Sequence, residues 1–387
     1  VVRVIGVPRK MAALLDADRA AAVIAETLGG AGITVGGDAP WDIQIRDART
    51  YARVLRDGTL GVGESFVEGW WDCQALDQMI ERVVRARVPD ELSKSWPLRA
   101  QLVKARLFNL QVARPFEVGE RHYDVGNDLY EAMLGRRMVY TCAYYKDATT
   151  LDAAQEAKLD LVCRKIGLRP GMRILDLGCG WGGFAAFAAE RYGANVVGYT
   201  VSREQVAWAK AHYGSLSVDI RLDDYRHATG TYDAVVSIGL MEHVGAKNHR
   251  AYMQLAARCL GPGGIAFVHT IGGAGPRTQI DPWFDKYIFP NAAIPTLGQL
   301  ATAMQGVLVP EDVQNIGPHY DRTLMDWWAN FDAAWPRLRT RYGDTFYRVW
   351  KYYLLVSAAY FRTREHNLYQ IVATPMGAPQ PPGVRAS

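Results

Sequence analysis

The segment Arg173–Phe184, RILDLGCGWGGF, is an apolar run that ends in an acid, Asp176, and then breaks into Gly178, Gly180, Gly182 and Gly183. A strand that feeds glycines into a helix start offers free backbone N–H groups and lets a ligand come close. Taken literally, Gly178-x-Gly180-x-x-Gly183 is a dinucleotide fingerprint. Two residues argue against that ligand. A dinucleotide site places an acid ~20 residues further on, at the end of the next strand, to hold the ribose hydroxyls. Here that strand, ANVVGYT, ends in Thr200. Asp176, just before the first glycine, would meet a pyrophosphate with like charge. It suits a cation, and S-adenosylmethionine carries two, a sulfonium and an ammonium. A dinucleotide and a glycine-rich packing turn are the alternatives.

Other residues with chemical capacity lie far from this turn. Tyr140–Tyr145 (YTCAYY) precedes it. Glu242 stands in LMEHVG, His269 in FVHTIG, and Tyr320 in the triplet His319–Asp321. Elements to hold them can be read from periodicity. Leu159, Val162, Cys163 and Ile166 recur at helical spacing, and Gly167 and Pro170 end that helix. Beyond it, strands are expected over 173–177, 195–199, 218–222, 232–238 and 264–270, with helices over 182–192, 203–213 and 247–260. This alternation predicts a mostly parallel sheet with helices on both faces. Ligands bind at the carboxyl edge of such sheets, which puts Glu242 and His269 near a bound cofactor. Upstream, a helix is expected over 12–29, a short strand over Asp42–Asp47, packed but irregular chain over Leu60–Cys73, and helices over 74–112.

The chain has 387 residues, 49% hydrophobic and 22% charged, with net charge +4 and pI near 8.7. It is long enough for a large core, and too weakly basic to argue for nucleic acid. Cys73, Cys142, Cys163, Cys179 and Cys259 are scattered and odd in number. They fit neither a disulfide framework nor a zinc site, and favour a reduced, cytoplasmic setting. No signal pattern opens the chain, and since it does not begin with Met, a few residues are expected to precede it. The longest apolar block, Tyr352–Phe361, is about half of a ~20-residue membrane span. Arg99, Lys104 and Arg106 interleave with Leu98, Leu102, Leu107 and Phe108. They form either a solvated helix face or a basic amphipathic surface for anionic lipid.

The pattern Asp176-x-Gly178-x-Gly180-x-Gly182 resembles the first motif of class I methyltransferases. That resemblance implies a Rossmann-like α/β fold with a mostly parallel seven-stranded sheet, beside a smaller, mainly helical N-terminal domain. The second-strand acid of the general pattern is missing, so Thr200 and Gln205 are the candidates for the ribose. Asp224 and Tyr225, in LDDYR, fall where an adenine-contacting acid and a stacking ring are expected. The ordered set ERHYDVGNDLYEAML, YTCAYY, LDLGCGWGG, MEHVG, FVHTIG and DPWFDKYIFPN is similar to the cyclopropane-fatty-acyl-phospholipid synthases, and in its catalytic part to the mycolic acid cyclopropane synthases.

This resemblance implies an S-adenosylmethionine-dependent enzyme of lipid biosynthesis. In that family a cis double bond attacks the methyl, and the resulting carbocation loses a proton from that methyl to a bound bicarbonate and closes to a ring. It implies side-chain contacts to the ion from Glu242, His269 and Tyr320, and backbone contacts from Cys142 and Ile271. Tyr140 and Thr141 are expected on the cofactor, and Tyr140 and Tyr320 as rings facing the cation. The unsaturated phospholipid substrate implies peripheral contact at the inner face of the cytoplasmic membrane, by a cytoplasmic protein that is a homodimer. The expected organisation is an N-terminal lipid-interaction or dimerisation domain over 1–112, a linker over 113–128, a catalytic domain over 129–372 and a disordered tail over 373–387. His122 and Tyr123 cover the cofactor or join the domains, and Asp285–Thr296 forms a lip for an acyl chain or packs on the sheet. A related C-methyltransferase making methyl-branched lipid, or methylating a small natural product, and an inert lipid-binding protein are the competing readings.

Overall fold

The computed structural model describes residues 17–88, 126–275 and 280–382. The cationic segment around Arg99, Lys104 and Arg106, His122 and Tyr123 lie outside the described residues, as does the start of the expected helix over 12–29. The chain divides into two compact units. Described residues of the first are 17–88, 280–290 and 332–364; those of the second are 126–275, 291–331 and 365–382. The first unit therefore recruits two later segments that a linear division at residue 112 assigns to the catalytic domain.

The first unit contains α1 (Ala17–Gly29), β1 (Gln44–Ile45), α2 (Arg49–Asp57), α3 (Thr59–Val67), β2 (Trp71–Asp72) and α4 (Leu76–Arg85). β1 and β2 form a small antiparallel ladder. The expectation of irregular chain over Leu60–Cys73 is corrected by α3. Its glycines are spacers inside a helix: side chains at Gly61 and Gly63 would overlap the Arg53 carbonyl and the Trp283 ring. Trp283, on the short helix Pro282–Tyr287, is fully buried, with its ring 4.5 Å from that of Tyr352. Arg348 lies 4.2 Å over the Phe66 ring and donates to the Phe66 carbonyl at 2.6 Å. Within the helical run Pro318–Arg362, the residues of this unit break at Gly343 (φ 75°, ψ 160°).

The second unit is built on one seven-stranded sheet. Its strands are β3 (Arg173–Leu177), β4 (Asn195–Thr200), β5 (Val218–Leu222), β6 (Tyr232–Ile238), β7 (Leu260–Gly273), β8 (Leu308–Asn315) and β9 (His366–Pro375). Their order is β5-β4-β3-β6-β7-β9-β8. The first five are parallel, and β9 enters antiparallel between β7 and β8. Its helices are α5 (Asn127–Leu134), α6 (Leu151–Lys165), α7 (Gly183–Tyr192), α8 (Arg203–Tyr213), α9 (Met241–Val244), α10 (His249–Cys259) and α11 (Leu297–Met304). Thr150 and Ser202 cap α6 and α8 with their side chains, satisfying N–H groups that a helix start leaves open. Leu159, Leu161 and Val162 are fully buried, each worth roughly 1.5–3 kcal/mol of apolar burial. The tail boundary at 373 is also corrected: Ala373 pairs with Ala266, and β9 runs on to Pro375. Leu368, Ile371, Val372 and Ala373 are buried where β9 pairs with β7, which outweighs the Pro-rich composition that follows.

Candidate active site

The strand order reverses between β3 and β6, so a crevice opens at their carboxyl ends, where open α/β sheets take ligands. The glycine turn follows β3. Asp176, 1% exposed, sits in β3 between Gly198 and Val236. Burial pushes its carboxyl up to about 7, against the pull of the Lys158 charge. Its Oδ2 has no partner within the protein, as suits a group that awaits a cationic ligand. Gly178, Gly180 and Gly182 have φ of 76°, 58° and 81°, a region that side chains disfavour. A Cβ at Gly180 would meet nothing within 4 Å, so that backbone faces open space. Gly183 serves packing instead, since a Cβ there would overlap the Arg137 carbonyl. Gly183→Ala is expected to cost about 1–3 kcal/mol of stability in urea unfolding.

The remaining cofactor candidates divide. Thr200 and Gln205 are buried and joined, with the Thr200 hydroxyl donating to Gln205 Oε1 at 2.6 Å. They form one polar unit at the end of β4, where the ribose is expected. Asp224 is engaged differently from the expectation of an available adenine acceptor. Arg226 grips it through Nε at 2.9 Å and Nη2 at 2.7 Å, which holds the carboxyl below its ordinary range despite burial. An adenine amine would have to share that carboxylate. The Tyr225 ring packs 5.9 Å from that of Tyr252, and burial pushes its hydroxyl up to about 12.

Glu242 and His269 are both tied to β7. Glu242, in α9 just after β6, accepts from the Ile271 N–H through Oε1 at 2.6 Å. Its Oε2 is buried without a protein partner, and burial pushes the carboxyl up to about 7. The Ile271 N–H is thus engaged by Glu242. His269, two residues earlier in the strand, is fully buried. Burial and the charges of Lys158 and Lys165 hold its ring neutral. Its carbonyl accepts from Gly239 at 2.8 Å, and its Nε2 has no partner within the protein.

The segment Tyr140–Tyr145 is pinned from below by α6. Lys158 Nζ donates to Thr141 Oγ1 at 2.7 Å, and Gln155 Nε2 donates to the Thr141 carbonyl at 2.8 Å. Lys158 is completely buried, which pushes its ammonium down to about 7 against the pull of Asp176. A Cβ at Gly239 would lie 2.7 Å from Thr141 Cγ2, so this segment rests on the end of β6, next to the His269 carbonyl. Cys142 is fully buried, and burial drives its thiol far up. A thiol so held is no nucleophile. Cys142→Ala is expected to keep turnover within about threefold, because the buried thiol stays protonated. Tyr140 and Tyr320 both contact Trp327, at ring distances of 5.2 and 6.0 Å, so the two candidate rings flank one buried indole. Asp285–Thr296 is divided between the units. Trp283, just before it, packs in the first, while Ala293 and Pro295 bond to Glu242 and Gly273 in the second.

Lys158, Gln155 and Trp327 escape the sequence reading. Lys158 carried a signal: it falls on the buried stripe Leu151, Ala154, Lys158, Leu161, Lys165, where an apolar residue is expected.

The site thus combines a glycine turn backed by a buried acid with a buried set of polar atoms, Glu242 Oε2 and His269 Nε2, that no protein group satisfies. The sequence profile of the family described as Mycolic acid cyclopropane synthetase matches residues 111–371. A cyclopropane-fatty-acyl-phospholipid synthase of Escherichia coli K12 is 45% identical over 348 residues, covering 90% of this chain and 91% of that protein. The chain belongs to the cyclopropane synthase family. Solved members of the family share the fold over about two thirds of this chain. A cyclopropane synthase from Mycobacterium tuberculosis is 29% identical, with a TM-score of 0.63, over 67% of this chain and 97% of its own. A mycolic acid cyclopropane synthase solved with SAH and CTAB is 31% identical, with a TM-score of 0.61, over 66% of this chain and 96% of its own.

Proposed function

We propose that this cyclopropane synthase transfers a methylene from S-adenosylmethionine to the cis double bond of an unsaturated phospholipid acyl chain, with a bicarbonate ion held at Glu242 and His269. The observation that carries the ion is the pair of unsatisfied buried atoms, Glu242 Oε2 and His269 Nε2. Buried polar groups are nearly always paired, so these two require a polar partner. A small planar anion with donor and acceptor oxygens offers a partner to each. Bound there, bicarbonate supplies the base for the proton lost from the added methyl.

The protein's residues do the rest. The glycine turn and Asp176 bind the donor and fix its methyl against the double bond. An olefin is a poor nucleophile, so this alignment carries much of the rate. The C–S bond breaks as the new C–C bond forms, leaving a cation on the acyl chain and S-adenosylhomocysteine as product. Tyr140, Tyr320 and Trp327 present ring faces, each worth about 1–2 kcal/mol to a desolvated cation, and exclude water that would trap it as an alcohol. Glu242 keeps its proton up to about pH 7, so Oε2 donates to the anion rather than repelling it.

The affinity for bicarbonate is therefore expected to weaken as pH rises through about 7. The test is the rate in carbon dioxide-depleted buffer, with bicarbonate restored across a pH series. Loss on depletion, recovery on restoration and a rising KM above neutrality support the reading; indifference to bicarbonate contradicts it. No helix among the described residues is long and apolar enough to cross a membrane. The substrate chains lie in a bilayer, so we place the enzyme peripherally at the cytoplasmic face, as a homodimer. Binding to anionic phospholipid vesicles is expected to fall steeply between low and physiological salt.

A further inference from the structure

We infer that Gln370 is a positioning residue that fixes the proton of His269 on Nε2 and so makes that nitrogen a donor to the bound anion. The antiparallel register of β7 and β9 sets His269 directly opposite Gln370, and both side chains are completely buried. Gln370 Nε2 lies 3.3 Å from His269 Nδ1. Gln370 turns its amide nitrogen, a donor only, toward Nδ1, which makes Nδ1 the acceptor in this amide orientation. A neutral imidazole carries one proton, which is then on Nε2. Burial and the neighbouring Lys158 and Lys165 charges keep the ring neutral. Nε2 is the nitrogen with no partner in the protein, so the fixed tautomer presents an N–H where a partner is missing. A carboxylate at position 370 would accept from Nδ1–H instead. It would move the proton away from Nε2 and add a charge hostile to an anion.

The identity of the acceptor rests on the bicarbonate reading; the tautomer does not. Histidine nitrogen resonances of the full-length, isotope-labelled protein decide it, with the His269 signals assigned by their loss in His269→Gln. The expected result is a pyridine-like Nδ1 and a pyrrole-like Nε2 in the unsubstituted protein, reversed in Gln370→Glu at a pH high enough to ionise the buried carboxyl. In Gln370→Met the KM for bicarbonate is expected to rise by about tenfold while the Kd for S-adenosylmethionine stays unchanged. A pyrrole-like Nδ1 in the unsubstituted protein overturns the proposal without any variant. If the tautomer is as stated but turnover ignores bicarbonate, the ion reading fails while the hold of Gln370 on the ring stands.

Discussion

Glu242→Ala lowers turnover by about a thousandfold while the Kd for S-adenosylmethionine moves by less than about threefold. The substitution removes Oε2, one of the two unsatisfied buried atoms, and strips the Ile271 N–H of its acceptor. Neither touches the glycine turn, so cofactor binding is spared. Glu242→Gln separates charge from hydrogen bonding. Its amide can still accept from Ile271 and donate to an anion, so it retains far more activity than Ala and loses the decline above neutral pH. Its stability should also change in a defined direction. The folded carboxyl titrates near 7 and the unfolded one near 4.5. The folded state is therefore penalised as pH rises from about 4.5 to about 7, and the penalty is complete above that. Glu242→Gln removes it, so the ligand-free variant is expected to be more stable at pH 8 by about 1–3 kcal/mol, with no gain near pH 4. Equal loss of turnover and cofactor affinity in the Ala variant would contradict the assigned role.

Gly180→Val abolishes cofactor binding, raising the Kd for S-adenosylhomocysteine by at least about a hundredfold in calorimetry. Two effects act together. The backbone at Gly180 has φ 58°, which a β-branched residue adopts at a cost of about 1–3 kcal/mol. The valine side chain would also fill the open space that this backbone faces. Asp176→Asn offers a contrast in charge alone. It is expected to weaken the sulfonium cofactor more than the neutral-sulfur product, because only the former carries the extra positive charge. Equal weakening would indicate that Asp176 acts by hydrogen bonding alone.

Local signals carried the catalytic half of this molecule. Asp176, the glycines and the strand–helix alternation are encoded within a few residues of one another, and β3 to β6 with α8 follow the periodicity closely. The expected strand ends put Glu242 and His269 near the carboxyl edge; Glu242 lies in α9 after β6, and His269 lies inside β7, opposite Ile238 at the end of β6. What depends on distant chain was not readable. Residues 280–290 and 332–364 join the first unit through contacts such as Trp283 with Tyr352 and Arg348 with Phe66, which no local pattern announces. The same holds for Gln370. Its partnership with His269 follows from the register of β9, a strand whose sequence does not say what it pairs with. The capture of Asp224 by Arg226 and of the Ile271 N–H by Glu242 are matters of side-chain geometry, and composition is silent on them. Lys158 is a different case: a charge on an apolar stripe is a legible anomaly whose partners, Thr141 and the Asp176 field, only the fold supplies.

Product identity tests the central claim most directly. Monounsaturated phospholipid vesicles are incubated with the enzyme, bicarbonate and S-adenosylmethionine whose methyl is fully deuterated, and the lipids are read by mass spectrometry. A cyclopropane forms with loss of one methyl deuteron to the base, so the product carries two deuterons on the new carbon and no remaining double bond. Unchanged lipid, or a methyl branch that retains all three deuterons, would contradict the account.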